Sequence, residues 1–470
     1  MSKAERTKAR SAREIATRAL ADAAQRFPDL PPQTLDTVGL TSAEAALAVA
    51  IHRTTLRRWL TLEHVVSRFV KQPMWRLQPT MRAVLLAGAA QLLFMDRLPS
   101  YAVVDEMVQL ARRLVRPQAA AMVNGVLRNT ARLVTNRSDT PWQPAANSIP
   151  HYTDRKPGDA PPNGADTPGF ITLKRDVFPD PATDLPAHLA LATNMPEHVV
   201  RRWFDSFDAP TATTLCLHTL KPAPTIVAIE PGFATDNTPT DATPEASSVP
   251  PWAPHARPGF IVWQSTHDEL TAFLDASPHR RVQDPASAEP VTAVRDIAFT
   301  AALDYCAGRG TKTRQLAAAH PDAKILATDI NPDRLDELTH AAAGLPNIER
   351  LAIDEAKQQQ VDLLLLDVPC SNTAVLARRP EARYRLTRKT MNNLLELQRR
   401  IIRDALPALA PLGHVLYSTC SLDVAENNQQ ARWLAKQING EIIHEHQTLP
   451  VGLGLSYHDG SYHALIKRKA

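Results

Sequence analysis

Ala302-Leu-Asp-Tyr-Cys-Ala-Gly-Arg-Gly-Thr-Lys-Thr313 is the stretch on which the reading of this 470-residue chain turns. A short apolar run, 302–306, enters a glycine turn and then residues that favour a helix. Further strand candidates follow at 324–329, 348–353, 361–367 and 414–418, with helical patterns between them. Strands alternating with helices predict a doubly wound, mainly parallel sheet. The expectation is therefore an α/β Rossmann-like domain over 286–470. Ligands of such sheets bind where the strands end, so the loops at those ends carry the chemistry.

Gly308 and Gly310 permit a tight turn and close approach of backbone to a ligand. A Gly-x-Gly turn alone specifies little, and this one lacks both the six-residue dinucleotide spacing and the phosphate-loop ending. The acids add information. Asp304, Asp329 and Asp354 close three successive strand candidates. An acid after the second strand accepts ribose hydroxyls in dinucleotide folds, and Asp354 is placed to meet an adenine amino group. The trio suits a neutral-to-cationic nucleoside such as S-adenosylmethionine better than a pyrophosphate. Taken singly, each acid would also serve as an ordinary helix cap.

Cys216, Cys306, Cys370 and Cys420 are the only cysteines and form no Cys-x-x-Cys pair, so neither a metal knuckle nor a disulfide framework is expected. The fourth strand candidate ends in Asp367-Val-Pro-Cys-Ser-Asn-Thr373 and the fifth in Tyr417-Ser-Thr-Cys-Ser421. Two thiols at neighbouring strand ends would face one crevice. Cytosine methylation explains such a pair. A thiolate adding to carbon 6 makes carbon 5 nucleophilic enough to attack a methyl sulfonium. Hydrogen bonding at ring nitrogen 3, for which Asp367 is placed, assists that addition. A second cysteine can help the product leave. The attacking thiol needs its pKa lowered by a following helix start or a nearby cation. Cys216 reads as core, and Cys306 as packing beneath the glycine loop. Residues 378–403 carry nine basic side chains against two acidic ones, so Arg378, Arg379 and Arg383 are candidates for binding phosphates. Residues 399–403 read as a solvated helix.

Upstream, 1–137 reads as all helix. Thr41-Ser-Ala-Glu44 is a capping box, a second helix starts at Pro79, Ser100 is a candidate cap, and another helix covers 119–133. Arg53, Arg57, Arg58, Arg68, Lys71, Arg76 and Arg82 suit either a solvated surface or an RNA-binding face. Residues 138–168 contain seven prolines and read as a linker without a core. Residues 169–285 read as an α+β segment, with a helix at 188–203 and a strand at 225–229. Within it, 231–258 reads as a disordered insert.

These motifs together resemble the RNA cytosine-5 methyltransferases named after Nol1, Nop2 and Sun. Asp-x-Pro-Cys-Ser and Ser-Thr-Cys-Ser follow, in order, a Cys-Ala-x-x-Gly-x-Lys-Thr loop. Val282-Gln-Asp284 and Glu426-Asn427 also look like that family. The resemblance implies that Cys420 is the nucleophile, Cys370 the release cysteine and Asp367 the base-binding acid, with Lys312 close to the chemistry. It implies that Cys306, Ala307, Gly308, Arg309, Gly310, Thr311, Lys312, Asp329, Asp354 and Asp367 line an S-adenosylmethionine site. The helical first domain looks like a NusB-type RNA-binding domain, and the middle segment would be the family's small RRM-like subdomain. The combination implies small-subunit (16S) rRNA as substrate. Three departures stand out. Gly308-Arg-Gly-Thr replaces the family's usual loop centre, Ala374 stands where a glycine is usual, and Ile353-Asp-Glu355 stands in place of the usual Gly-Asp region. They keep open an alternative, a ribosome-assembly factor that binds rRNA without catalysing methylation. A tRNA-directed enzyme is a third reading.

The bulk numbers agree. Hydrophobic residues make up 44% of the chain and net charge is only +4, as for a globular protein whose charge is local. No apolar run reaches the roughly 18 residues of a membrane span, and the basic N-terminus has no apolar signal core. A cytoplasmic monomer without metal is the expectation.

Overall fold

The computed structural model describes residues 11–31, 34–152, 166–229 and 250–469. They form two compact units. One comprises 11–152, 166–221 and 379–386, the other 222–378 and 387–469.

The first unit opens with α1 (Ala12–Arg26), α2 (Ser42–Ser67), α3 (Pro79–Phe94), α4 (Ser100–Leu114) and α5 (Ala119–Leu133). Thr41 and Glu44 make the expected capping box at the start of α2. Pro79 occupies the first turn of α3, where its missing N–H costs nothing. Every residue of α3 from Met81 to Phe94 is buried, so this helix is the centre of the bundle. Gly88 lets α5 close on it, since a Cβ there would stand 2.7 Å from Leu127. Ser100 makes no cap bond and lies inside α4 instead.

Three expectations are corrected in this unit. The 138–168 stretch is not a coreless linker. Its described parts join a three-stranded antiparallel sheet, β1 (Val134–Ser138), β2 (Ser148–His151) and β3 (Gly169–Leu173), ordered β1-β3-β2. Ile149, Ile171 and Leu173 from this sheet enter the helical core. Pro150 is tolerated within β2 because that strand lies at the sheet edge. Residues 153–165 lie outside the described ones. The helix expected at 188–203 is two, α6 (Leu185–Ala192) and α7 (Glu197–Ser206), separated by Asn194 at positive φ and Pro196. With α8 (Ala209–His218) they belong to this unit rather than to a middle subdomain. Finally, two of the upstream arginines are structural. Arg58 is buried, donates to the Pro150 carbonyl at 2.8 Å and lies over the Phe94 ring. Arg82 is buried against Glu63 and covers Phe27 and Trp59.

The segment 379–386 completes this unit. Tyr384 is part of the helical core, and its hydroxyl bonds Asn194 and the Leu56 carbonyl.

The second unit begins with a small antiparallel sheet, β4 (Ile226–Ala228), β5 (Trp252–Pro254), β6 (Phe260–Trp263) and β7 (Arg281–Val282), ordered β5-β6-β4-β7. One helix, α9 (His267–Asp275), packs on it through Leu270, Phe273 and Leu274. The expected insert therefore stops short of 258, because 252–254 is a paired strand. Residues 230–249 lie outside the described ones.

After α10 (Pro285–Thr292) comes the main fold: β8 (Ala301–Asp304), α11 (Thr311–Ala319), β9 (Lys324–Ala327), α12 (Pro332–Ala341), β10 (Ile348–Arg350), α13 (Ile353–Ala356), β11 (Val361–Asp367), α14 (Arg388–Ala405), β12 (Leu409–Thr419), α15 (Asn428–Gln437), β13 (Gly440–Thr448) and β14 (Ser461–Arg468). The sheet order is β10-β9-β8-β11-β12-β14-β13. Strands β8 to β12 are parallel, and β14 runs antiparallel to both neighbours. Leu363 to Leu366 in central β11 are fully buried, as parallel strands covered on both faces require. The antiparallel insertion of β14 distinguishes this sheet from the all-parallel dinucleotide order. Among the described residues no helix is long and apolar enough to cross a membrane.

Candidate active site

The site lies where β8, β9, β11 and β12 end. At the end of β8 the chain turns through Tyr305 to Gly310 into α11. Gly308 and Gly310 have φ of 55° and 78°, left-handed values that glycine adopts without strain. A Cβ on Gly310 would stand 2.0 Å from Leu338 of α12, whereas one on Gly308 would point into open space. Gly308 thus leaves its backbone approachable, and Gly310 allows the loop to pack. Asp329, just past β9, accepts the Gly308 N–H at 2.8 Å and the Asn331 N–H at 2.9 Å. It fixes the loop and keeps lone pairs for further donors. Asp304, fully buried, accepts the Thr313 hydroxyl at 2.7 Å. Burial pushes its carboxyl up to about 7.

The other loop residues divide. Ala307 is buried, and Cys306 is a half-buried thiol pushed well above its ordinary pKa by burial. Thr311 opens α11. Arg309 turns outward to pair with Glu337 at 2.6 Å. Asp354 is not at a strand end. It lies in the first turn of α13, exposed, with Lys357 3.3 Å away.

The reactive half follows from strand register. Asp367 of β11 stands opposite Ser418 of β12, so the loops after both strands leave the sheet side by side. The Ser418 hydroxyl donates to one Asp367 oxygen at 2.7 Å, and the Lys312 ammonium to the other at 2.8 Å. Burial works against the Lys312 charge, but Asp367 outweighs it and holds that ammonium above its ordinary pKa. Cys370 and Cys420, fifty residues apart in sequence, bring their Sγ atoms within 3.2 Å as free thiols. The Cys420 N–H also points at the Cys370 sulfur, at 3.3 Å. The bond to Cys420 and then burial push the Cys370 thiol well above its ordinary pKa. Asn372, at φ 60°, places its side-chain oxygen 3.3 Å from the Cys420 sulfur.

Of the two devices expected to favour a thiolate, the helix start is absent beside Cys420, since α15 begins at Asn428. The cation is supplied by Lys312, whose charge interacts with Cys420.

The basic candidates fare worse. Arg378 is held by Asp459 at 2.8 Å, Asp284 at 3.2 Å and the Pro224 carbonyl at 2.9 Å. Arg383 is fully buried and donates to the carbonyls of Asn194 and Thr219. Both are internal fasteners rather than phosphate contacts. Arg379 is exposed. Sequence reasoning passed over Ser418, which sits inside the quoted Tyr-Ser-Thr-Cys-Ser motif and which register with Asp367 reveals.

Comparison with known proteins agrees with this geometry. A family model described as 16S rRNA methyltransferase RsmB/F matches residues 296–459, and one described as NusB family matches 10–132. Ribosomal RNA small subunit methyltransferase B of Klebsiella pneumoniae subsp. pneumoniae is 27% identical over 443 residues, 88% of either chain. The protein of that name from Yersinia enterocolitica serotype O:8 is likewise 27% identical over 443 residues, again 88% of each. The crystal structure of PH0851 superposes with a TM-score of 0.64, covering 96% of this chain and 98% of that one. Its 17% identity speaks for the fold alone. The chain is an S-adenosylmethionine-dependent RNA methyltransferase, with a NusB-like domain ahead of a methyltransferase domain similar to the RsmB/F type.

Proposed function

We propose that the enzyme methylates carbon 5 of a cytosine in small-subunit rRNA through a covalent bond between Cys420 and the base. The observation that carries this reading is the 3.2 Å thiol pair beside the Lys312–Asp367–Ser418 cluster. RNA binding alone needs neither thiol. The names of the relatives support rRNA over tRNA as the target.

The residues fit the cofactor. The open backbone at Gly308 and the carboxylate of Asp329 form a cradle for a ribose. When bound, S-adenosylmethionine supplies an electrophilic methyl group. The Cys420 thiolate adds to carbon 6. Ring nitrogen 3 takes a proton from water as the thiolate adds, and Asp367, whose oxygens also accept from Lys312 and Ser418, accepts the resulting N–H hydrogen bond and steadies the adduct. After methyl transfer a solvent water takes the carbon 5 proton, the electrons of that bond form the 5–6 double bond, and the carbon 6–sulfur bond breaks with its electron pair returning to Cys420. Cys370, a thiol facing that sulfur, hydrogen-bonds the departing thiolate. Asp354 would reach the adenine only from the α13 turn. The small sheet of β4 to β7 supports the RRM-like reading of the middle segment through its four strands and one helix.

The altered glycine loop gives no support to a catalytically silent protein, because Arg309 points to Glu337 at the surface. The test is methyl transfer from labelled S-adenosylmethionine to unmodified small-subunit rRNA, with product nucleosides separated. Label in 5-methylcytosine, lost in Cys420→Ala and trapped as a protein–RNA adduct in Cys370→Ala, is expected. Label in any other nucleoside, or undiminished label in Cys420→Ala, would overturn the proposal.

A further inference from the structure

Two chemically identical thiols 3.2 Å apart must be told apart if one attacks and the other assists. Their immediate neighbours differ. Lys312 faces Cys420 with a cation. Cys370 instead feels Glu426, a carboxylate with no exposed surface. One Glu426 oxygen accepts the backbone N–H of Ser371, the residue after Cys370, at 2.9 Å, and the Gln398 side-chain amide at 2.9 Å. The other accepts the hydroxyl of Ser421, the residue after Cys420, at 2.5 Å. Gln398 also holds the Pro369 carbonyl, just before Cys370, at 3.0 Å. A single buried acid therefore ties together the backbones that carry both sulfurs.

We propose that Glu426 is a positioning residue for the reaction. It clamps the two cysteine loops in register and places a buried negative charge beside Cys370, so that Cys420 and not Cys370 is the thiol that ionises. Its bonding supports this, for Ser371, Gln398 and Ser421 all present donors, the set a carboxylate requires. The titratable groups around it are Asp423, whose charge reaches it, Cys370, and Tyr417, whose hydroxyl donates to the Glu426 carbonyl at 2.6 Å. Cys370 in turn feels Cys420 and Glu426. Burial raises Glu426 above the usual carboxylate range, and its donors oppose that rise. In a low-dielectric setting a fixed charge of this kind acts on its neighbour with little screening.

The inference deepens the two-cysteine reading given above, and it is tested without turnover so that each can fail separately. Iodoacetamide alkylation of the full-length protein is followed at Cys370 and Cys420 by peptide mass spectrometry from pH 6 to 10. Wild type, Glu426→Gln and Ser421→Ala are compared. Thiolate concentration sets the rate, and lowering a thiol's pKa by one unit raises its rate about tenfold below the midpoint. In wild type the Cys420 midpoint is expected below that of Cys370. Glu426→Gln, nearly isosteric, is expected to lower the Cys370 midpoint and raise its rate about tenfold or more relative to Cys420. Ser421→Ala, which removes one donor and keeps the carboxylate, is expected to move the Cys370 midpoint less than Glu426→Gln does. Equal midpoints in wild type, an unmoved Cys370 midpoint in Glu426→Gln, or the same movement in Ser421→Ala would each overturn the proposal. A loss of native melting in Glu426→Gln would not stand in the way, since Cys420 read in the same sample reports whether the site survives.

Discussion

Replacing Asp304 by Asn gives the sharpest test of the site's electrostatics. Asp304 ends β8 beneath the glycine loop, almost wholly buried, with the Thr313 hydroxyl as its side-chain partner. Burial raises its carboxyl from 3.8 to about 7, and Asp367 adds to the rise against Lys312. The folded chain therefore keeps a proton there over a pH range in which the unfolded chain has released it. The stability this supplies is fully present below pH 3.8 and is lost as pH rises through about 7. At roughly 1.4 kcal/mol per pH unit, the loss across the window from 3.8 to about 7 is about 4 kcal/mol. Asparagine cannot ionise and lacks this slope. Asp304→Asn should thus gain about 4 kcal/mol on wild type between pH 4 and pH 8, whatever its stability at pH 4. Urea unfolding read by hydrogen exchange at β8 reports the unit that contains the residue, which a whole-chain melt does not. Subtracting the two proteins' curves removes the other titrating groups. A difference that stays constant with pH would show that the carboxylate is charged in the fold even at pH 4, and would refute the argument from burial.

Other outcomes follow from single contacts. Gly310→Ala combines a left-handed backbone with a Cβ 2.0 Å from buried Leu338, and a loss of about 2–5 kcal/mol in urea unfolding of the catalytic unit is expected. Arg383→Met leaves the Asn194 and Thr219 carbonyls without their donor. It should destabilise the N-terminal unit by about 2–4 kcal/mol while leaving the salt dependence of RNA affinity unchanged. Arg309→Ala removes only an exposed pair with Glu337, worth about 0–1 kcal/mol, and calorimetry should find S-adenosylmethionine affinity within about twofold of wild type.

The sequence made the catalytic half legible because its chemistry sits at strand ends, where polar motifs interrupt apolar runs. Once β11 and β12 are adjacent and parallel, register alone delivers Cys370 to Cys420. Helices α3 and α5 were equally plain from their apolar spacing and the Pro79 start. Two classes of feature were not legible. Strand β13, Gly-Glu-Ile-Ile-His-Glu-His-Gln-Thr at the sheet edge, has mostly exposed residues, so no hydrophobic alternation marks it. Its partner β14 reads as a continuous run without a crossover helix. Arginines formed the second class. Arg58, Arg82, Arg378 and Arg383 looked like a phosphate-binding supply, and each is spent on carbonyls, carboxylates or rings inside the protein. Burial of a guanidinium depends on acceptors distant in sequence, Asn194 for Arg383 and Pro150 for Arg58, and no local pattern announces them.

The route of residues 379–386 bears on how the chain is made. Tyr384 fills a place in the core built by α1 to α5, yet it emerges from the ribosome long after those helices. Domains made in sequence tend to fold in sequence. Here the core of the first unit cannot be completed until residue 384 has been translated. A nascent chain halted before residue 379 lacks this core side chain and should show weaker protection of α1 to α5 than the full chain. The last piece of the earlier-made core thus arrives as a late delivery within the stretch that encodes the methyltransferase fold.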